Sequence, residues 1–273
     1  MKVCVLGSGS AGNATLVEVG ATRVLVDAGF SGRDLERRLA EVDVEPGSVT
    51  AILITHDHGD HTRGMGVFAR RHGTPVYVTE PTRRACARLL KGDERTVAYR
   101  AGHPFPIGSV RVEPFATVHD AVDPVGVALV DATVGTGVGV ATDLGRPTAH
   151  IRHALSGADL LILEANHDEV LLQGAPYPWS VKARIASSHG HLSNEAAARF
   201  AVELLHPRLT GVVLAHLSNE SNRPDLAQRI VEGALRRAGF RGYLEVARQD
   251  RPTAMLDVEE LRIRSGPEQL SLM

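Results

Sequence analysis

The chain has 273 residues, of which 43% are hydrophobic and 23% charged, and its formal net charge at pH 7 is −2. This composition is typical of a globular protein with a sizeable core and excludes a disordered chain. The charge argues against coating nucleic acid by bulk electrostatics; arginine clusters such as 70–71, 83–88 and 236–241 indicate either a local basic groove or solvated helix faces.

The first half of the sequence predicts short strands interleaved with helices. Alternating, β-branched residues indicate strands, whereas Leu35, Leu39 and Val42 have helical spacing. The predicted strands cover residues 2–6, 14–19, 22–27, 51–54, 75–78, 95–99 and 109–115, and the predicted helices lie near 35–42, 64–72 and 81–91.

The second half has the same style, without a linker between the halves. The predicted strands cover 126–132, 138–142, 160–163, 211–215 and 243–246, the helices 150–156, 194–204 and 226–238, and a proline-rich loop 175–179. We predict a single α/β domain over residues 1–257, in which two mixed sheets stack between outer helices in four αββα layers. A polar, loosely attached tail should follow over residues 258–273.

The glycine-rich segment 7–12, which reads GSGSAG, matches a dinucleotide-binding fingerprint. That fingerprint requires a helix directly afterwards, whose N-terminus holds the pyrophosphate. Residues 13–19 alternate and are β-branched, so a strand follows instead. We therefore predict a tight inter-strand loop near the functional site, and no dinucleotide site.

The cysteine content and the N-terminal sequence indicate where the protein works. Cys4 and Cys86 are far apart and have no paired spacing, so neither a disulfide nor a cysteine–zinc site is expected. Residues 1–30 lack the pattern of a signal peptide, and no run approaches the roughly 18 apolar residues of a membrane span. We expect a soluble, cytoplasmic protein that does not bind membranes.

The segment 55–61 carries the strongest chemical signal. His56, His58, Asp60 and His61 fall within six residues, directly after the predicted strand 51–54. On a loop that ends a strand these side chains can converge, and neutral imidazole with carboxylate is the ligand set of zinc, manganese or iron. Two of the histidines can serve one metal while the aspartate and the third histidine serve another; an accidental histidine-rich loop is the alternative.

This motif resembles the signature of the metallo-β-lactamase superfamily, and later motifs follow in the superfamily's order over residues 1–250. The resemblance implies that Asp27 supports the histidine loop and that His119 is a further ligand of the first metal. It also implies that Asp143 bridges both metals and that His216 completes the second site. The implied cofactors are two divalent ions per chain, zinc or manganese.

Two further motifs resemble the nuclease side of the superfamily, as in tRNase Z. Glu164 follows a predicted strand, and His191 lies in a Gly-His-Leu-Ser-Asn segment. Together with the glycine-rich start, the chain is most similar to the WalJ/YycJ group, which implies a 5′-exonuclease acting on DNA. No β-CASP insertion and no long tRNA-binding arm is apparent.

The resemblance also implies a mechanism. A hydroxide between the metals would attack the phosphate at a centre that includes Asp60. His191, oriented by Glu164, would protonate the leaving oxygen; an ordinary buried pair is the alternative. His167 and Trp179 are candidates for substrate contacts, although Trp179 is as compatible with packing beneath its loop as with stacking on a base.

Three functions are compatible with this sequence. We favour a phosphodiesterase acting on nucleic acid, with DNA preferred over RNA as the substrate. A small-molecule phosphodiesterase or ester hydrolase of the same fold is the alternative, and a non-catalytic metal-binding protein is disfavoured by the intact set of ligand-type residues. The metal, the nucleic acid, the polarity of cleavage and the oligomeric state stay open.

Overall fold

The structure, a computed structural model, describes residues 1–265. Within this range the strands are β1 Lys2–Gly7, β2 Ala14–Val19, β3 Thr22–Val26, β4 Ala51–Leu53, β5 Val76–Thr79, β6 Thr96–Tyr99, β7 Phe105–Ile107, β8 Val110–Ala116, β9 Val125–Asp131, β10 Gly137–Ala141, β11 Leu160–Glu164, β12 Gly211–Ala215, β13 Tyr243–Val246 and β14 Leu256–Asp257. The α-helices are α1 Gly32–Ala40, α2 Gly59–Thr62, α3 Met65–His72, α4 Glu80–Ala85, α5 Ala149–Leu155, α6 Glu169–Gly174, α7 Trp179–Ile185, α8 Asn194–Glu203, α9 Pro224–Arg237 and α10 Val258–Ser265.

The strands form two seven-stranded sheets of similar design. The first has the order β14-β1-β2-β3-β4-β5-β6 and the second β13-β12-β11-β10-β9-β8-β7. In each sheet one half is antiparallel, and four neighbouring strands, β3 to β6 and β10 to β13, are parallel. The carboxyl ends of each parallel set therefore lie along one edge of its sheet.

Three hydrophobic cores separate four layers. Along β11, Leu160 and Ile162 point into the core between the sheets, whereas Leu161 and Leu163 point to the opposite face and pack against α5, α8 and α9. In the first sheet, Leu25 of β3 packs outward against α1 and α3. Because successive residues of a strand point to opposite faces, strands that are apolar throughout supply two cores at once. The αββα arrangement predicted from the sequence is confirmed.

Some elements differ from their predicted form. The helix predicted at 81–91 ends at Ala85 and continues as a 3-10 turn, Ala87–Leu89, which packs closely on Gly66 of α3. The predicted loop 175–179 stops at Pro178, because this residue caps α7 and Trp179 begins the helix. The glycine-rich segment leads into β2, as predicted, and not into a helix.

The tail predicted over residues 258–273 is wrong in its first half. Val258 and Leu261 of α10 are buried in the core between the sheets, next to β14, which pairs with β1. Two buried apolar residues at helical spacing are enough to hold this short helix on the sheet, although Ile263 is exposed and the other residues are polar. Residues 266–273 lie outside the described part of the chain.

The cysteines and the lengths of the helices bear on two further predictions from the sequence. Cys4 and Cys86 are both buried, and both are free thiols. Among the helices of residues 1–265, none is long and apolar enough to cross a membrane.

Candidate metal centre

The candidate centre lies where the parallel strands of both sheets end. Asp27 follows β3, the histidine motif follows β4, Asp143 follows β10 and His216 follows β12. Asp27, Asp143 and His216 have left-handed backbone conformations, with φ of 62°, 57° and 55°. Such conformations are uncommon for residues other than glycine and are found at functional sites, where the surrounding structure holds them.

Two neighbouring groups of side chains could each hold a metal ion. The ligand atoms of His56, His58, His119 and Asp143 all lie within 4.8 Å of one another. The first motif residues and His119, which the sequence separates by about 60 positions, thus meet as predicted. His119 Nε2 is 3.3 Å from Nδ1 of His58 and 3.5 Å from Oδ1 of Asp143.

The second group contains Asp60, His61 and His216, whose ligand atoms also lie within 4.8 Å of one another. His216 Nε2 is 3.3 Å from Oδ2 of Asp60 and 3.5 Å from Oδ1 of Asp143. The other oxygen of Asp143, Oδ2, is 3.0 Å from Nε2 of His61. Asp143 therefore lies between the two groups, where a bridging carboxylate would be placed.

Asp27 fixes which ring nitrogen of two histidines faces the centre. Its carboxylate accepts hydrogen bonds from His61 Nδ1, at 2.7 Å, and from the Thr55 hydroxyl, at 2.9 Å. Thr55 thereby uses its one hydrogen, so it accepts from Nδ1 of His56, 3.0 Å away. Both imidazoles then carry hydrogen on Nδ1, which leaves the lone pair of each Nε2 for a cation.

Hydrogen bonds from Nδ1 also orient the two ligand-type histidines that follow strands of the second sheet. His119 Nδ1 donates to the carbonyl of Gly190 at 3.0 Å, and His216 Nδ1 donates to Oε1 of Glu164 at 3.0 Å. The Nε2 atoms of both residues face the carboxylates of the centre. A hydrogen bond on one ring nitrogen is the usual way in which proteins orient a metal-binding histidine.

Two buried atoms show that this donor set fits divalent cations. His56 Nε2 and Asp143 Oδ2 are buried and have no hydrogen-bond partner among the described residues. A buried polar atom without a partner costs about 1–3 kcal/mol. A cation between them would satisfy both, and imidazole with carboxylate suits zinc or manganese.

The electrostatics of the centre favour positive charge. Burial alone would raise the pKa of Asp143, but the neighbouring His216, His61 and His56 hold it well below its ordinary value. Burial would lower the pKa of His216, but the charge of Asp143 and hydrogen bonds to Asp60 and Glu164 raise it to about 10. Without metal, protons on His61 and His216, whose pKa values are both raised, therefore balance the buried carboxylates.

Glu164 and His191 form a pair at the rim of the centre. Glu164 is fully buried, and its Oε1 accepts from Nδ1 of His191 at 2.7 Å as well as from His216. Its Oε2 accepts from the backbone N–H groups of Leu144, at 2.9 Å, and Leu192, at 3.0 Å. Burial raises the pKa of Glu164, yet His191 and His216 together lower it to about 2.

These contacts decide between two uses of Glu164. The ligand-type atoms of Glu164, His191, His216 and Asp143 also lie within 4.8 Å of one another, so this group could hold a metal. However, four N–H groups already occupy the Glu164 carboxylate, and Nδ1 of His191 donates to it. The geometry favours an oriented imidazole whose Nε2 remains available; the His191 side chain is 18% exposed.

Comparison with known proteins identifies the family. The family model for the beta-lactamase superfamily domain matches residues 22–216. The chain belongs to the metallo-β-lactamase superfamily. It is 34% identical to exodeoxyribonuclease YycJ of Bacillus anthracis over 238 residues, which cover 86% of this chain and 89% of that protein. It is 36% identical to exodeoxyribonuclease WalJ of Streptococcus pneumoniae over 241 residues, or 87% and 89% of the two chains.

More distant matches agree with this assignment. A ribonuclease Z of Mycobacterium is 28% identical over 253 residues, 86% of this chain and 82% of that protein. The metallo-beta-lactamase fold protein YhfI of Bacillus subtilis superimposes with a TM-score of 0.72 at 20% identity, over 92% of this chain and 98% of that one. The predicted superfamily and the likeness to the WalJ/YycJ group are confirmed, and the protein is a metal-dependent hydrolase of that superfamily.

The two remaining predicted residues lie beside the metallo-β-lactamase centre, not in it. His167 and Trp179 line a cleft of about 640 Å³, and His191 forms part of its wall. His167 is only 3% exposed, whereas Trp179 is 81% exposed. This exposure excludes the packing of Trp179 beneath its loop, which was the alternative to a contact with substrate.

Three polar residues at the centre were not singled out from the sequence. Asn13 Nδ2 is 3.1 Å from Nε2 of His61, and the Asn13 Oδ1 accepts from the Ser8 hydroxyl. The Ser8 hydroxyl in turn accepts from the backbone N–H of His216, and Asn166 donates to the His216 carbonyl. The glycine-rich loop was the one sequence feature that could have indicated Ser8 and Asn13, because it places both residues close to the ends of neighbouring strands.

The arginine clusters are neutralised only in part. Arg70 pairs with Glu94, and Arg71 with Glu36; Arg83 and Arg84 share Glu80, and Arg236 pairs with Glu232. The clusters 83–88 and 236–241 contain further arginines, Arg88, Arg237 and Arg241, that form no ion pair within residues 1–265. Solvated helix faces and a local basic groove therefore both stay predictions.

Proposed function

We propose that this protein is a two-metal-dependent phosphodiester hydrolase that acts on nucleic acid, as a 5′-exonuclease on DNA. The observation that carries the proposal is the contact of His191 with Glu164, which also holds the proposed metal ligand His216. This contact supports a role for His191 as a proton donor beside the proposed metal ligands. The names of the YycJ and WalJ relatives support DNA as substrate, and that of the ribonuclease Z relative makes RNA the main competitor.

The proposed ligands divide into two sets that share one carboxylate. One set consists of His56, His58 and His119, the other of Asp60, His61 and His216, and Asp143 belongs to both. When bound, a pair of zinc or manganese ions supplies a Lewis acid for the phosphate and a means of forming hydroxide near neutral pH. Burial raises the pKa of Asp60, but His216 and His61 lower it further, so this carboxylate stays ionised.

His191 would serve the leaving group. Cleavage of a phosphodiester expels a sugar alkoxide, which departs more easily when it is protonated; a positioned proton donor contributes roughly 10²–10⁴-fold. Glu164 holds Nδ1 of His191, so Nε2 is the atom that would hold the proton near the substrate. The partial exposure of this side chain allows it to reach the substrate from the cleft.

The proposal is tested by the choice of substrate. Protein stripped of metal and reloaded with manganese or zinc should digest DNA labelled at the 5′ end, with mononucleotides as the first products. Single- and double-stranded DNA, RNA and a chromogenic phosphodiester are compared, and the stripped protein is the control. Cleavage of RNA alone, or release of label from the 3′ end first, would contradict the finer assignment.

One observation favours the second candidate, a small-molecule phosphodiesterase or ester hydrolase. The cleft beside His191 has the volume of a small-ligand pocket, typically about 300–1,000 Å³. If the chromogenic diester is cleaved and no polymer is, this second function replaces the first. The cytoplasmic location expected from the sequence stays a prediction.

A further inference from the structure

The cleft beside the centre is built from three helices and lies next to the proposed donor. We call it the α7 cleft. Its wall includes Leu172 of α6, Trp179 and Lys182 of α7, His191, and Arg199 of α8. It therefore runs from the rim of the metal centre to an exposed aromatic residue and two cations.

His167 gives the α7 cleft a polar group without a partner. The residue is 3% exposed and lines the cleft, and its Nδ1 is buried without a hydrogen-bond partner among the described residues. Buried polar atoms in proteins are nearly always hydrogen-bonded, so an exception indicates a ligand or water at that position. Its backbone is fixed by a bridge to Ser193, which lines the same cleft.

Trp179 supplies the apolar surface. It is the only tryptophan of the chain, and with 81% exposure it contributes little to the core. A large aromatic side chain left in water beside a cleft is the usual platform for a nucleobase, since every base has a π-face. Trp179 begins α7 directly after Pro178, which holds the backbone at this position.

The cations of the cleft are free of carboxylates within residues 1–265. Neither Lys182 nor Arg199 forms an ion pair there; the Lys182 ammonium donates to the carbonyl of Gln173 at 2.5 Å. One acid, Glu169, also lines the cleft, and it accepts from the Ser193 hydroxyl at 3.1 Å. Two positive charges and one negative leave the cleft attractive for phosphate.

We propose that the α7 cleft binds the nucleotide that leaves, with its base on Trp179 and its phosphate near Lys182 and Arg199. The inference rests on the proposed function and follows from the position of His191. A proton donor must lie next to the leaving oxygen, and His191 forms part of the cleft wall. The sugar that receives the proton is therefore the sugar bound in the cleft.

The chemistry fixes which nucleotide this is. The oxygen of water bonds to phosphorus as the bond from phosphorus to O3′ breaks, and O3′ takes its proton from His191. Water loses one proton, so the net reaction adds one water across the bond. In cleavage from the 5′ end, the group that leaves through O3′ is the terminal nucleotide, and its free 5′-phosphate then points to Lys182 and Arg199.

The sole tryptophan makes the inference testable by fluorescence. The zinc-loaded protein is titrated with deoxyadenosine 5′-monophosphate, with deoxyadenosine, and with deoxyribose 5-phosphate. Both compounds that carry the base should quench the fluorescence of Trp179 saturably, and the nucleotide should reach saturation at a lower concentration than deoxyadenosine. The sugar phosphate should not quench the fluorescence. Lys182→Met should weaken the binding of the nucleotide several-fold without changing the affinity for deoxyadenosine. Lys91→Met, a control at an exposed lysine away from the cleft, should change neither affinity.

Kinetics on DNA give an independent measurement. Stacking on an aromatic residue corresponds to roughly 5- to 150-fold in affinity, so Trp179→Ala should raise KM by such a factor, and Trp179→Phe should restore most of it. Quenching by the sugar phosphate alone, or equal behaviour of Lys182→Met and Lys91→Met, overturns the inference. If the protein digests DNA but the nucleotide does not quench Trp179, the inference about the α7 cleft is overturned and the proposed function stands. If the nucleotide quenches Trp179 but no polymer is digested, the proposed function is overturned instead.

Discussion

Replacement of His191 by alanine separates proton donation from metal binding. The imidazole contributes one of four hydrogen bonds to Glu164, and the bonds from Leu144, Leu192 and His216 do not depend on it. Glu164 should therefore stay in place and continue to orient His216. Loss of a proton donor should then reduce turnover on DNA by roughly 10²–10⁴-fold, or about 3–5 kcal/mol of transition-state stabilisation.

The assay compares two leaving groups at full metal loading. A nitrophenolate departs without protonation, so the loss caused by His191→Ala on a nitrophenyl phosphodiester should stay below about tenfold. Metal content is measured on the same samples. His153→Ala, which removes an exposed histidine on α5, is the matched control and should leave both rates unchanged.

Two results would refute this reasoning. Equal losses on DNA and on the activated ester would show that His191 does not act on the leaving group, and loss of metal would make it part of the metal centre. Glu164→Gln is a less clean variant, because the same oxygen that holds His191 also holds His216. We expect this variant to lose metal as well as activity.

Four further outcomes follow from the centre. Asp143→Asn should lower the content of both metals in elemental analysis, because this carboxylate lies between both groups; full occupancy would contradict a bridging role. Asp27→Asn puts an amide group among the donors of Thr55 and His61 and should cost about 1–3 kcal/mol in chemical denaturation, unless the site relaxes. Metal affinity, measured by titration, should rise with pH, because the raised pKa of His216, about 10, means that a proton must leave before a cation binds; an affinity independent of pH would disprove this. Turnover on DNA should fall steeply with added salt if several phosphates are contacted, whereas a flat response would favour a small substrate.

The convergence of the site could be predicted because it depends on strand ends. Runs such as 51–54 and 160–163 are apolar and short, so they indicate buried strands whatever their partners are. Asp27, Asp143 and His216 each follow such a run directly. The resemblance to the superfamily assigned their roles, and their positions agree with a shared site because parallel strands place their carboxyl ends along one edge.

Contacts between distant segments could not be predicted in this way. Ser8 and His216 are 208 positions apart, and nothing in either local sequence indicates their hydrogen bond. Helix α10 is held by Val258 and Leu261 alone, a pattern too short to distinguish from a polar tail. The exposure of Trp179 likewise depends on how α7 lies on the surface, and the composition of the preceding proline-rich segment does not determine this.

Two buried carboxylates, one at the end of a strand in each sheet, would allow the fold to combine the proposed metal binding with the proposed proton transfer. Asp27 follows β3 and orients His61 directly and His56 through Thr55, so both of its imidazoles face the metal groups. Glu164 ends β11 and also holds two imidazoles, but only His216 faces the metal groups, while His191 forms part of the cleft wall. Each carboxylate orients two imidazoles. The difference is that His191, unlike the other three, faces the cleft instead of the metal groups. In the proposed function, the step from a metal site to a phosphodiesterase therefore depends on the second sheet, where His191 is oriented like a metal ligand and would lie beside the substrate.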